Sequence, residues 1–287
     1  SSFDYHGNPI AILKGRIVAV AMIVAYNVAF TSSPLLGGII LLLFMAAMPW
    51  MIWRSLQFKL HNTSYRGVRF GFDGSAGRAY WCYLVMPILA AITLWIFLGP
   101  KLHHSLKKFQ HTESRYGNHH FDFDATAGSF YKAYYIFFIP LLIGIFVLGA
   151  VFAMIGTVAQ AALGTDPQTM PLVVSGLIYL FMLLVLPVFM TMIQNLIWNH
   201  TSIGEHRFKS ELKWGRMTYI TITNLVAIVC TLGLFIPFAK VRMLRYRLDS
   251  TSMLVAGNLD EFVAETEASV SATGEGLTDL LDFDLSL

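Results

Sequence analysis

AYWCYLVMPILAAITLWIFLGP, residues 79–100, holds 22 positions without Asp, Glu, Lys, Arg or His, and its reading decides the fold. A helix needs about 20 apolar residues to cross a hydrocarbon core about 30 Å thick, so this tract suffices for one crossing and not for two. MTYITITNLVAIVCTLGLFIPFA, residues 217–239, poses the same choice with 23 positions. Three longer tracts of the same kind run over 17–53, 133–165 and 167–199, and the five together take 148 of 287 residues. The chain is 56% hydrophobic and 13% charged, with a mean hydropathy of +0.60. A soluble domain carries about 25% charged residues to cover its surface, so a soluble globular enzyme is excluded.

TSSP at 31–34 divides the first long tract, and ALGTDPQTMP at 162–171 divides the other two, each with the composition of a turn. The pattern predicts an all-α integral membrane protein with six hydrophobic helices, at about 15–31, 35–57, 79–98, 132–160, 171–198 and 217–236. Cys82 and Cys230 lie inside apolar tracts and indicate no disulfide framework. The polar opening SSFDYHGNP is unlike a cleaved signal peptide.

An internal pattern organises these helices. Pro49, Pro100, Pro187 and Pro237 are each followed fourteen residues later by a hydroxyl residue, namely Thr63, Ser114, Thr201 and Thr251. Nine residues after each proline stands Phe58, Phe109, Leu196 or Tyr246. A second phrase sets a glycine ahead of alternating aromatics: Gly67 with Phe70 and Phe72, Gly117 with Phe121 and Phe123, Gly204 with Phe208. That alternation beside glycine is a strand or hairpin signal. Basic residues then open the next tract at Lys14 and Arg16, Arg78, Lys132, and Arg216. The expected unit is an apolar helix, a second helix entered at the proline and ending in bases, and a short β-like connector. Phe3 and Tyr5 resemble the end of that phrase, so a unit ahead of the first one here is expected.

All twenty Lys and Arg fall in the connectors and none at the tips 31–34 or 160–171. The positive-inside bias places the connectors in the cytoplasm. Six single crossings would carry the bases of 101–132 and 200–216 to the opposite side. Same-side return of the two compact tracts avoids this, and Leu232–Gly233 is turn-like, but the tracts are too short for two full crossings.

Residues 1–255 form the repeated multipass domain. The tail, 256–287, carries eight acidic residues and neither Lys nor Arg, giving a body of net charge +11 and a tail of −8. SVSATGEG has linker composition, and LTDLLDFDLSL spaces its leucines as a short amphipathic anchor, fitted to the basic connectors or to a protein partner.

FDYHGNPIAILKGR at 3–16, NTSYRGVRFGFDGSAGRAYW at 62–81, LGLFIPFAKVRMLRYRL at 232–248 and DLLDFDLSL at 279–287 together resemble the YjgN-like family of bacterial inner-membrane proteins, a domain of unknown function. The resemblance covers essentially the whole chain. It implies a multipass protein of the inner membrane with one more unit ahead of the first, and it brings no catalytic residues.

No HExxH, phosphate-binding loop, dinucleotide motif or nucleophile elbow occurs in the sequence. No enzyme and no cofactor are expected. His103, His104, His111, His119 and His120 crowd one connector without an established ligand spacing, so no metal is assigned. Gln194, Asn195, Asn199 and Asn224 are the candidate intramembrane polar residues, read first as interhelical hydrogen-bond formers. Lys240, Arg242, Arg245 and Arg247, interleaved with Val241, Met243, Leu244 and Tyr246, are the candidate contacts for anionic lipid headgroups. Two roles stay open: a membrane scaffold that binds lipid or a partner, and passage of a small or lipidic solute between repeats. Nucleic acid is not expected as a partner.

Overall fold

The computed structural model describes residues 3–6, 9–93, 95–163, 169–257, 262–264, 266 and 268. Two compact units emerge: residues 1–124, 201–207 and 255–287 form one, and 125–200 with 208–254 form the other.

In the first unit a strand, β1 (Phe3–Tyr5), leads into helices α1 (Pro9–Ser32) and α2 (Pro34–His61). Ser33 is the N-cap of α2 and Pro34 opens that helix, so the chain turns within one extended residue. Close approach requires Gly37, where an added Cβ would come within 2.8 Å of the Phe30 backbone. Strand β2 (Thr63–Tyr65) follows α2 and pairs antiparallel with β1, Phe3 opposite Tyr65 and Tyr5 opposite Thr63. The α1–α2 hairpin therefore returns to the ladder it left.

A two-residue turn joins β2 to β3 (Val68–Phe72). Arg66 and Gly67 both take positive φ, 49° and 83°, the type I′ geometry that matches strand twist. The next helical run is α3 (Ala76–Tyr80), one π-helical turn (Trp81–Val85) and α4 (Met86–Ile92). It breaks near Trp95, whose φ is 62°, and comes back as α5 (Gly99–Thr112). Strand β4 (Ser114–Tyr116) then pairs with β3, Phe70 opposite Tyr116, closing this hairpin as β1 and β2 close the first. Phe72, Ala79, Cys82 and Phe109 are buried together beneath it, with the Phe72 and Phe109 rings edge to face at 5.4 Å. Antiparallel pairing continues in chain order through β5 (His119–Phe123), β6 (Thr201–Ile203) and the first residues of β7 (His206–Ser210).

The second unit holds α6 (Ala127–Leu163), α7 (Thr169–Asn199), the remainder of β7, α8 (Trp214–Cys230), α9 (Ile236–Asp249) and β8 (Thr251–Leu254). Helices α6 and α7 pack through Tyr134 and Phe137 against Phe189, each pair 4.9 Å apart. Helices α8 and α9 form a short hairpin, and the Glu211 N–H donates to the Ser250 carbonyl at its mouth, where β8 follows β7 in strand order.

Among the described residues, three helices are long and apolar enough to cross a membrane: Pro34–His61, Ala127–Val158 and Leu172–Asn199. Most of their surface is exposed apolar side chain, which requires lipid rather than water around them. The protein is thus a predominantly helical membrane protein, but two expectations need correction. It is not all-α, because the connectors pair into a sequential antiparallel sheet. Nor do 79–98 and 217–236 each form one helix, since each breaks and folds back on a second, polar helix that hydropathy alone reads as connector. The four matched prolines also differ in setting. Pro100 and Pro237 open α5 and α9, whereas Pro49 and Pro187 lie inside α2 and α7. Every one of those four helices nevertheless ends twelve residues after its proline, and Thr63, Ser114 and Thr251 each bond the carbonyl four residues back.

Candidate functional site

Helix α9, IPFAKVRMLRYRLD, gathers the four cations singled out in the sequence and divides them between two faces. Arg242 turns inward. Its Nη1 donates to Thr223 Oγ1 at 2.8 Å and to Asn224 Oδ1 at 3.1 Å, and its guanidinium lies 5.7 Å from the Tyr219 ring. Asn224, buried in α8, donates in turn from Nδ2 to the Ala239 carbonyl at 3.2 Å. The Tyr246 hydroxyl accepts from Lys213 N and donates to Lys213 O, fastening the mouth of the hairpin. Arg247 is half-buried and its Nε has no hydrogen-bond partner among the described residues, and the same holds for Thr218 Oγ1 on α8.

Lys240 and Arg245 are exposed instead. Between and beside them Phe238, Val241, Leu244 and Leu248 present an apolar stripe at helical spacing, Phe238 at 67% exposure and Val241 at 66%. The tip is more apolar still, with Leu232 95% and Leu234 80% exposed. Its backbone satisfies itself: Gly233 N donates to Ile228 O, Leu234 N to Thr231 O and Phe235 N to Thr231 Oγ1. A loop with satisfied amides and outward apolar side chains is compatible with hydrocarbon, where an unpaired backbone group costs several kcal/mol. The fourteen residues of α9 span only ~21 Å at 1.5 Å each. With four Lys and Arg at about 2.5–3.5 kcal/mol each at the bilayer centre, this arm suits the interface and not a crossing.

Asn195 and Asn199 work elsewhere, near the end of α7. Asn195 Oδ1 accepts from Ser210 Oγ and Leu212 N while its Nδ2 donates to Leu212 O; Asn199 Oδ1 accepts from Ser210 N. They pin the segment that enters α8. Gln194 is half-buried beside them. The structure thus joins Asn224 to Arg242 and Asn195 to Asn199, as two separate clusters.

The histidines disperse. His103 and His111 lie on α5, His120 is 3.4 Å from Asp73 Oδ2, and His119 stacks near Phe262 at 4.8 Å. Asp73, Arg115, Asn118 and His120 line an open polar recess of about 240 Å³, in which Arg115 Nε pairs with Asp73. Among the described residues no three His, Cys, Asp or Glu are placed to hold a metal. Of the acidic tail, the described residues dock on the first unit. Ala256 N donates to His206 Nδ1, the Phe262 ring stands edge-on to His206 at 4.7 Å, and Val263 and Thr266 are buried. The amphipathic segment 277–287 lies outside the described residues.

Sequence reasoning missed two features. The His206–Phe262 contact joins residues 56 apart and has no local signal. The row His103, Lys107, His111 has one, since its spacing of four marks a helix face once 99–112 is recognised as a helix.

The fold and this site define a class: a helical membrane protein whose compact hairpins pair an apolar arm with a cationic one. The chain belongs to the family described as "Bacterial protein of unknown function (DUF898)", which it matches over residues 1–280. It is also 34% identical over 82 residues to a protein named "Inner membrane protein YjgN" of Salmonella typhimurium (strain LT2), a stretch covering 29% of this chain and 21% of that relative. No solved structure matches it.

Proposed function

We propose that this is a non-enzymatic multipass protein of the bacterial inner membrane, built from repeated helical-hairpin units, that binds anionic lipid headgroups at its cytoplasmic face and organises lipid or a partner there. The observation that carries this reading is the division of α9 into an inward Arg242, held by Thr223 and Asn224, and an outward Lys240 and Arg245 flanking an exposed apolar stripe. Cations beside inserted apolar groups suit an anionic leaflet, each contributing about 1 kcal/mol near the surface. The relative's name supports the inner membrane, and the lack of any Lys or Arg at the tips 31–34 and 160–171 supports a cytoplasmic placement of the opposite, cationic ends. The common distance from proline to helix end supports the repeat.

Reconstitution with spin-labelled lipids tests it. Motionally restricted phosphatidylglycerol should exceed restricted phosphatidylcholine around the wild-type protein, and Lys240→Gln with Arg245→Gln should abolish most of that preference. Equal restriction of both lipids, or a preference untouched by the double substitution, would overturn the reading.

A further inference from the structure

Helix α5 carries a second cationic feature that the α9 reading does not use. His103, Lys107 and His111 stand four residues apart on one stripe, and all three are half-buried. Among the described residues Lys107 Nζ has a single hydrogen bond, to Gln110 Oε1 at 3.0 Å, and Gln110 Nε2 passes it on to the Tyr83 hydroxyl at 2.8 Å. This chain is neutral beyond the ammonium, and among the described residues Lys107 makes no ion pair. Glu113, one turn and a half away, is engaged by Arg78. The contrast with Arg242, whose guanidinium meets two polar side chains and an aromatic face, is plain.

An ammonium has three donors, and a partly desolvated one without a counter-ion is costly. The flanking imidazoles add no negative charge. Burial and the Lys107 charge hold His103 and His111 at about 4, so both imidazoles are neutral at pH 7 and each bears one ring N–H. Phe123 stacks on the His111 ring at 5.4 Å and backs the stripe with an apolar face, and Thr201 Oγ1 lies 3.3 Å from His111 Nδ1. Burial also pushes the Lys107 ammonium below the usual lysine range.

We propose that the α5 stripe centred on Lys107 is an anion site that takes a phosphate group, from a lipid headgroup or from free phosphate. A tetrahedral oxyanion accepts several donors at once, and its attraction to a half-buried ammonium exceeds that at an exposed one.

The test is thermal melting of the full chain in uncharged maltoside micelles, for wild type, Lys107→Met, Lys107→Arg and the exposed neighbour Lys108→Met. One arm adds inorganic phosphate against chloride at equal ionic strength; the other adds short-chain phosphatidylglycerol. At about a hundred times Kd, either ligand should raise the wild-type Tm by roughly 5 °C. Lys108→Met and Lys107→Arg should keep that shift and Lys107→Met should lose it. A shift in the phosphate arm assigns a soluble anion, and one in the lipid arm alone assigns a headgroup. Should Lys107→Met fail to fold, lipid or phosphate retained on Lys107→Gln by native mass spectrometry substitutes. The proposal is overturned if neither ligand shifts the wild type, or if the Lys107 variants without charge respond as fully as Lys108→Met. Either result leaves the lipid preference assigned to α9 standing or falling on its own experiment.

Discussion

Arg242 and Asn224 show how a residue that looks like a headgroup contact in a sequence becomes part of a hairpin's interior. Both are polar, Asn224 is buried and Arg242 partly so, and each needs a partner wherever water is excluded. Their mutual bond, with Thr223 and Ala239 O, meets that need. Arg242→Met and Asn224→Leu should each destabilise the protein by about 1–3 kcal/mol, because each leaves a buried partner unsatisfied. The double variant should cost less than the two singles added, by about 0.5–3 kcal/mol, as read from unfolding in mixed micelles. Strict additivity would show that the two side chains do not act together. Asn224 was legible as a polar residue in an apolar tract, and Arg242 as one base in a run. Their pairing was not, because it depends on α8 and α9 folding back on each other.

At the scale of elements, what decided legibility was the strength of the apolar signal. Helices α2, α6 and α7 announce themselves by long uncharged runs divided at TSSP and TDPQ. Helices α5 and α9 do not, since their bases interrupt every apolar run, and the break between α4 and α5 is itself apolar. Trp95 there takes a positive φ that a sequence reader assigns to glycine, whereas the Leu232–Gly233 turn was visible because it contains one. The strands were signalled by glycine turns, but their partners were not. The element α5 also carries a pH dependence. His103 and His111 have folded pKa values of about 4, below the usual 6.5, so the unfolded chain binds more protons between those values. Their contribution to stability is full above pH 6.5 and is lost as the pH falls toward 4. Melting across that window should show a declining Tm, and His111→Gln should flatten part of the decline; a Tm indifferent to pH in both forms would contradict it.

For the molecule as a whole, the ladder and the membrane impose one shared condition. Strand pairs join the two ends of the α1–α2 hairpin and the two ends of the α3–α5 hairpin. Residues 66 and 108 should therefore label from the same side of the membrane. With Cys82 and Cys230 changed to serine, Arg66→Cys and Lys108→Cys should react with an impermeant maleimide in the same vesicle orientation. Labelling from opposite sides would require six ordinary crossings instead. The ladder has a further effect on assembly. Tyr5 meets Thr63 only after 58 residues, Phe72 meets Ser114 after 42, and Phe123 meets Thr201 after 78. Each of these closures spans a helical hairpin, so the corresponding strands cannot zip until that hairpin has folded back on itself. Doubling such a span adds only about 0.6 kcal/mol of closure entropy, so length is a minor obstacle beside topology. A hairpin left on the far side would strand its β-ribbon there without a neighbour, and zipping would halt at that rung. Strand closure thereby ties the docking of each segment to the return of the hairpin before it.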